Sequence, residues 1–193
     1  MSDFAPFILE TAPPGSGLRP FVCEGSPLEC EVALVGYNPA TCLDADFHGF
    51  WDGHVFDKQR WFESYKEERR TKPLKPGRTR RNEISPTRKR IDFFAAGVAP
   101  YKLLETNLYW DASEDRASHT VSVLSRIEEM LRMLTRIRLI VCHDDQAFDL
   151  LSAAKLLARV EKVDHFANRK PGWSDNAAYQ LGVKMRAHLD SFS

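Results

Sequence analysis

The sequence predicts an α/β fold, a three-layer α/β/α sandwich around a mostly parallel four-stranded central sheet, and three observations carry that expectation. Residues 32–35, 103–110 and 138–142 read as strands on their apolar content, and residues 160–166 as a fourth strand. Between them lie longer stretches whose apolar residues recur at three- and four-residue spacing, the period of a helix with one buried side. Strands and helices that alternate along a chain build a parallel sheet covered by helices.

Each element has its own local reason. Residues 1–20 are rich in Pro and Gly and read as an arm, so residues 1–30 are set apart from a single domain over 31–193. The run Val32, Ala33, Leu34, Val35 stops at Gly36 and Pro39, a strand ending in a turn. Residues 57–68 suit a helix, whereas 72–85, with Pro73, Pro76 and Gly77, cannot continue one and form a basic loop. Ser85 followed by Pro86 is a helix start, and Ile91, Phe93, Phe94 and Val98 give that helix a buried side before Gly97 and Pro100 end it. After the second strand comes a polar loop at 111–119, and then Val121, Leu124, Ile127, Leu131 and Leu134 mark an amphipathic helix. Asp144 or Asp145 caps a helix bearing Phe148, Leu150, Leu151, Leu156 and Leu157. Residues 173–189 close the chain as a helix with Ala177, Leu181, Met185 and Leu189 along its apolar side.

Composition narrows the function classes. A chain of 193 residues with 43% hydrophobic and 28% charged residues is neither collagen-like nor wholly disordered, and it is long enough to bury one core. No apolar run approaches the ~20 residues of a membrane span. The first residues lack the basic segment, apolar stretch and cleavage pattern of a secretory signal, so a cytoplasmic protein is expected, nucleoid-associated if the source is bacterial. Cys23, Cys30, Cys42 and Cys142 contain no CxxC pair and read as reduced thiols. Cys42, His48 and His54, with the aspartates around them, match no metal-ligand spacing, so no metal is expected.

The formal net charge of zero, from 27 basic and 27 acidic residues, conceals an asymmetry. Residues 58–90 hold thirteen Lys and Arg against four Glu, and read as a basic insertion in the domain. One reading is a solvated loop that aids solubility. The other is a strip facing a polyanion, in which Arg78, Arg80, Arg81, Arg88, Lys89 and Arg90 grip DNA.

Ligands of an open parallel sheet bind beyond the carboxyl ends of its strands, and four polar motifs fall there. They are Gly36-Tyr37-Asn38-Pro39, Asn107, His143-Asp144-Asp145 and His165 with the loop to Trp173. Gly36-x-Asn-Pro serves equally as a plain turn and as a ligand-facing one. Asn107, amid Leu103, Leu104, Leu108, Tyr109 and Trp110, is either a satisfied core amide or an amide offered to a ligand edge. Phe47, Phe50, Trp51 and Phe56 offer flat surfaces either to the core or to a stacked ring.

The order of these motifs resembles the uracil-DNA glycosylase superfamily. Gly36-Tyr37-Asn38-Pro39 is similar to the Gly-x-Asn-Pro motif of its mismatch-specific and single-strand-selective branches. His165, Asn168, Gly172 and Trp173 are similar to the late loop of the single-strand-selective branch. After the late histidine the family has Pro and Ser, where this chain has Phe166 and Ala167. The resemblance implies a monofunctional glycosylase that flips out and excises uracil or a related base, acting as a monomer on DNA without a cofactor. It implies that Asn38 positions water and that His165 hydrogen-bonds the departing base. Asn107 would read the base edge, with Tyr37, Phe47, Phe50 and Trp51 around the ring, while Asn168 and Lys170 join the DNA contacts. Two other expectations stand beside it: a non-catalytic nucleic-acid-binding member of the same fold, and an α/β hydrolase acting on a nucleotide-like small molecule.

Overall fold

A computed structural model of the chain describes residues 3–39, 43–74, 76–77, 79–112, 124–168 and 170–191. The chain folds as an α/β protein with six α-helices and one five-stranded mixed sheet among the described residues. The strands are β1 (Val22–Cys23), β2 (Val32–Gly36), β3 (Leu103–Asn107), β4 (Leu139–Cys142) and β5 (Arg159–Lys162). Their order is β1-β3-β2-β4-β5, with β1 antiparallel to β3 and every other pairing parallel. The fully buried Val32–Gly36 strand is the centre of this sheet.

Side-chain alternation along the strands sorts the core into two clusters. Ala33, Val35, Leu104, Ile140 and Cys142 join one with helices α1 (Phe4–Thr11), α4 (Leu124–Met133) and α5 (Asp145–Ala153). Val32, Leu34, Leu103, Leu139 and Val141 join the other, with α3 (Pro86–Val98) and α6 (Asp175–Asp190). Helix α2 (Lys58–Thr71) is capped by Asp57, whose side chain accepts from the Arg60 N–H, and buries Trp61 and Tyr65. Ser85 caps α3 in the same way through the Arg88 N–H, with Pro86 in the first turn. Asp144 caps α5.

Several sequence expectations need correction. The sheet has five strands rather than four, because the segment read as an arm supplies β1. That segment also forms α1, whose Phe4, Phe7 and Ile8 are buried, since Pro6 lies in the first turn, where its missing N–H disturbs no helix bond. β3 stops at Asn107, and β5 at Lys162, short of Phe166. Helix α5 ends at Ala153 and leaves Leu157 exposed. In α6 the buried side is Ala178, Gly182, Met185 and Leu189 rather than the stripe through Ala177 and Leu181.

That side of α6 lies against α3 at a close backbone approach. A Cβ on Gly97 would sit 2.2 Å from the Tyr179 carbonyl oxygen, and one on Gly182 would sit 2.3 Å from that of Phe94. Backbone cannot yield as a flexible side chain can, so the two helices must part to admit a methyl group. Gly182→Ala is therefore expected to lower stability by about 1–3 kcal/mol, the usual cost of overpacking, in chemical denaturation. An unchanged midpoint would show that α3 and α6 have room to move apart.

Candidate functional site

The carboxyl ends of β2, β3 and β4 open into a cavity of about 490 Å³. Gly36 ends β2 in register with Asn107 of β3, and the pairing runs on as Leu108 and Tyr109 donate N–H bonds to the carbonyls of Gly36 and Tyr37. On the other side, the His143 N–H donates to the Val35 carbonyl, which fixes His143 at the end of β4. A Cβ built on Gly36 would lie 2.7 Å from Asn107 Oδ1 and 2.7 Å from His143 Nε2. Gly36 is thus required because two polar side chains from neighbouring strands occupy the space a side chain would fill.

Asn38, Asn107 and His165 all border this cavity, together with Tyr37, whose ring lies 4.9 Å from that of Tyr109. The Ala167 N–H donates to His165 Nδ1 at 3.0 Å, so Nδ1 is an acceptor and the neutral ring carries its proton on Nε2. The loop after His165 is held by Arg90, which donates to the carbonyls of Phe166 and Asn168 at 2.8 and 2.7 Å. Phe166, one of the departures from the family pattern, is fully buried against Phe94, His143 and Trp173. Asn168 accepts from the Lys170 N–H, and the Lys170 ammonium pairs with Asp164 at 3.0 Å.

The aromatic residues expected to stack on a ring divide differently. Phe47, Phe50 and Trp51 are buried in a cluster that includes Phe4, Phe21 and Phe56. Phe47 and Phe50 border a neighbouring cavity of about 170 Å³ instead of the main one, and Trp51 borders neither. In their place Trp61 and Tyr65 of α2 line the main cavity, stacked with centroids 5.7 Å apart. Their four-residue spacing on an amphipathic helix was the available signal.

Burial also corrects the basic strip. Arg88 is only 6% exposed and makes ion pairs with Glu105 and Asp92, while Lys58 lies 3.4 Å from Glu105. Arg88 is therefore a structural cation rather than a DNA contact, and Arg90 is likewise engaged by the late loop. Arg81 donates to the carbonyls of Lys72 and Pro73 at 2.7 and 2.6 Å and so orders the basic loop. Lys89 pairs with Asp175 but stays exposed, Arg80 is exposed, and Arg78 lies outside the described residues.

Burial alone would raise the Glu105 carboxyl, yet the Arg88 and Lys58 charges overcome it and hold the group at about 2. Arg88→Met strips the main counter-ion from a buried carboxylate, and a loss of about 3–5 kcal/mol is expected in denaturant unfolding. A loss below about 1 kcal/mol would mean that Lys58 alone satisfies Glu105.

His143 shows the opposite sensitivity. Burial pushes its imidazole down to about 3, the nearby His165 adds to that push, and Asp144 and Glu105 only partly oppose it. Between about pH 6.5 and 3 the unfolded chain therefore takes up a proton that the fold refuses, so stability falls as pH drops through that window. His143→Phe is expected to flatten the decline in unfolding free energy between pH 6.5 and 4.5, above the range where Glu105 takes a proton. A decline as steep as that of the wild type would assign it to other groups.

No family model matches the chain, and no curated protein matches it.

Proposed function

We propose that this protein is a monofunctional DNA glycosylase of the uracil-DNA glycosylase type, with a three-layer α/β/α architecture, that excises uracil or a related modified base without a cofactor. The observation that carries this reading is the convergence of Asn38, Asn107 and His165 on one cavity, since they come from distant segments and are the residues the family resemblance singles out.

An extrahelical nucleotide enters the cavity at an unstacking cost of a few kcal/mol, offset by ring and edge contacts. Tyr37, Trp61 and Tyr65 supply aromatic surface. The Asn107 amide both donates and accepts, which suits the hydrogen-bonding edge of a base. As the bond between the base nitrogen and the sugar carbon breaks, its electron pair leaves with the base, and negative charge grows on the base oxygen. The neutral His165 donates from Nε2 to that oxygen. Asn38 orients a water through its amide carbonyl; the water oxygen bonds to the sugar carbon, and its surplus proton passes to solvent or to the departing base. The products are a free base and an abasic site.

The internal pairing of Arg81, Arg88 and Arg90 favours a second reading, a hydrolase of free nucleotides, because it removes cations from the surface a long DNA would need. Base release from oligonucleotides carrying uracil, hypoxanthine or xanthine, beside release from the free nucleotides, separates the two. Release from oligonucleotides is expected, with Asn38→Ala slower by about 100-fold or more. Asn107→Asp is expected to change which base is preferred. Release from free nucleotides alone would overturn the DNA reading, and DNA binding without any release would leave a nucleic-acid-binding protein.

A further inference from the structure

His143 has no role in the mechanism above, yet it borders the same cavity and its Nε2 flanks the same point over Gly36 as Asn107 Oδ1. Each atom lies 2.7 Å from that point, so the two are no further apart than twice that distance. The ring is 8% exposed and fixed on two sides, edge-on to Phe166 with centroids 5.3 Å apart and against His165 at 4.9 Å. Its Nδ1 is buried without a hydrogen-bond partner among the described residues. A buried donor without an acceptor is the costlier orphan, so the ring proton belongs on Nε2, beside Asn107.

An acceptor and a donor therefore flank the end of β2 together, both lining the cavity. We infer that His143 is a second edge-reading residue, donating from Nε2 to a carbonyl of the bound base while Asn107 Oδ1 accepts from the adjacent ring N–H, and so selecting a lactam edge. This rests on the reading of the cavity as a base pocket. In the same orientation an amino-substituted ring such as cytosine offers a lone pair to Asn107 Oδ1 and an N–H to the His143 donor. Both contacts are then mismatched, and unpaired polar groups in an enclosed site are strongly penalised.

The test uses free uracil and free cytosine as probes, with the histidine ring nitrogens of the wild-type protein followed by NMR. Uracil is expected to move the His143 Nε2 resonance, and cytosine at equal concentration to leave it in place. His143→Phe is expected to weaken uracil binding about tenfold or more and to lower kcat/KM on a uracil-bearing oligonucleotide at least as much, with affinity for an oligonucleotide that lacks uracil unchanged. His143→Asn, which keeps a donor, restores part of both. Equal uracil binding by wild type and His143→Phe, within about twofold, would overturn the inference, as would a wild type that does not bind uracil. Should the Phe variant fail to fold, the wild-type resonance decides the matter, an unmoved Nε2 being the overturning result. If no oligonucleotide loses a base while uracil still binds through His143, the glycosylase reading falls and the recognition role stands.

Discussion

The buried ion pair between Arg88 and Glu105 fastens the basic segment of the chain to the sheet. Glu105 lies in the middle of β3, Arg88 in the first turns of α3, and Lys58 at the start of α2, so one carboxylate gathers three elements. Charges this well buried are tolerated because each meets an opposite charge with hydrogen bonds as well as attraction. Two consequences spread outward. Helix α3, held at its beginning, lies against α6 near its end through Gly97 and Gly182, and Arg90, one turn into the same helix, reaches the carbonyls of the late loop that carries His165. The position of a cavity-lining histidine thus depends on an ion pair far from it in sequence.

The sheet creates the other half of the site by subtraction. At the end of β2 a side chain is missing, and Asn107 and His143 fill the gap from either side. A methyl group at Gly36 would meet both at once. The residue is better understood as a space than as a flexible turn, because its worth lies in the two neighbours it admits.

Much of this was legible in the sequence, for physical reasons that differ by element. β2, β3 and β4 were visible from their apolar residues, β5 more faintly because three of its four residues are charged, and the caps Ser85 and Asp144 by residue type and place. β1 was not, because a two-residue strand has no period to detect. Helix α1 was hidden by nearby prolines, although Phe4, Phe7 and Ile8 already showed helical spacing. The strip of cations misled more seriously. Charge counted along a chain says nothing of pairing, and the partner of Arg88 lies seventeen residues away on a strand. Asn38, Asn107 and His165 stood out as polar residues at strand ends, whereas the meeting of His143 with Asn107 depends on strand order, which no local pattern encodes.

The two margins of the sheet carry a further consequence. β1 is two residues long, and β5 carries Arg159, Glu161 and Lys162 among its four residues, with Arg159 and Lys162 exposed and Val160 and Glu161 half-buried. A newcomer strand would find too short a ladder on one side and charged side chains on the other, the usual guards against edge-to-edge aggregation. The sheet is therefore closed to augmentation by a stray peptide, and its exposed backbone is a poor template for fibril growth.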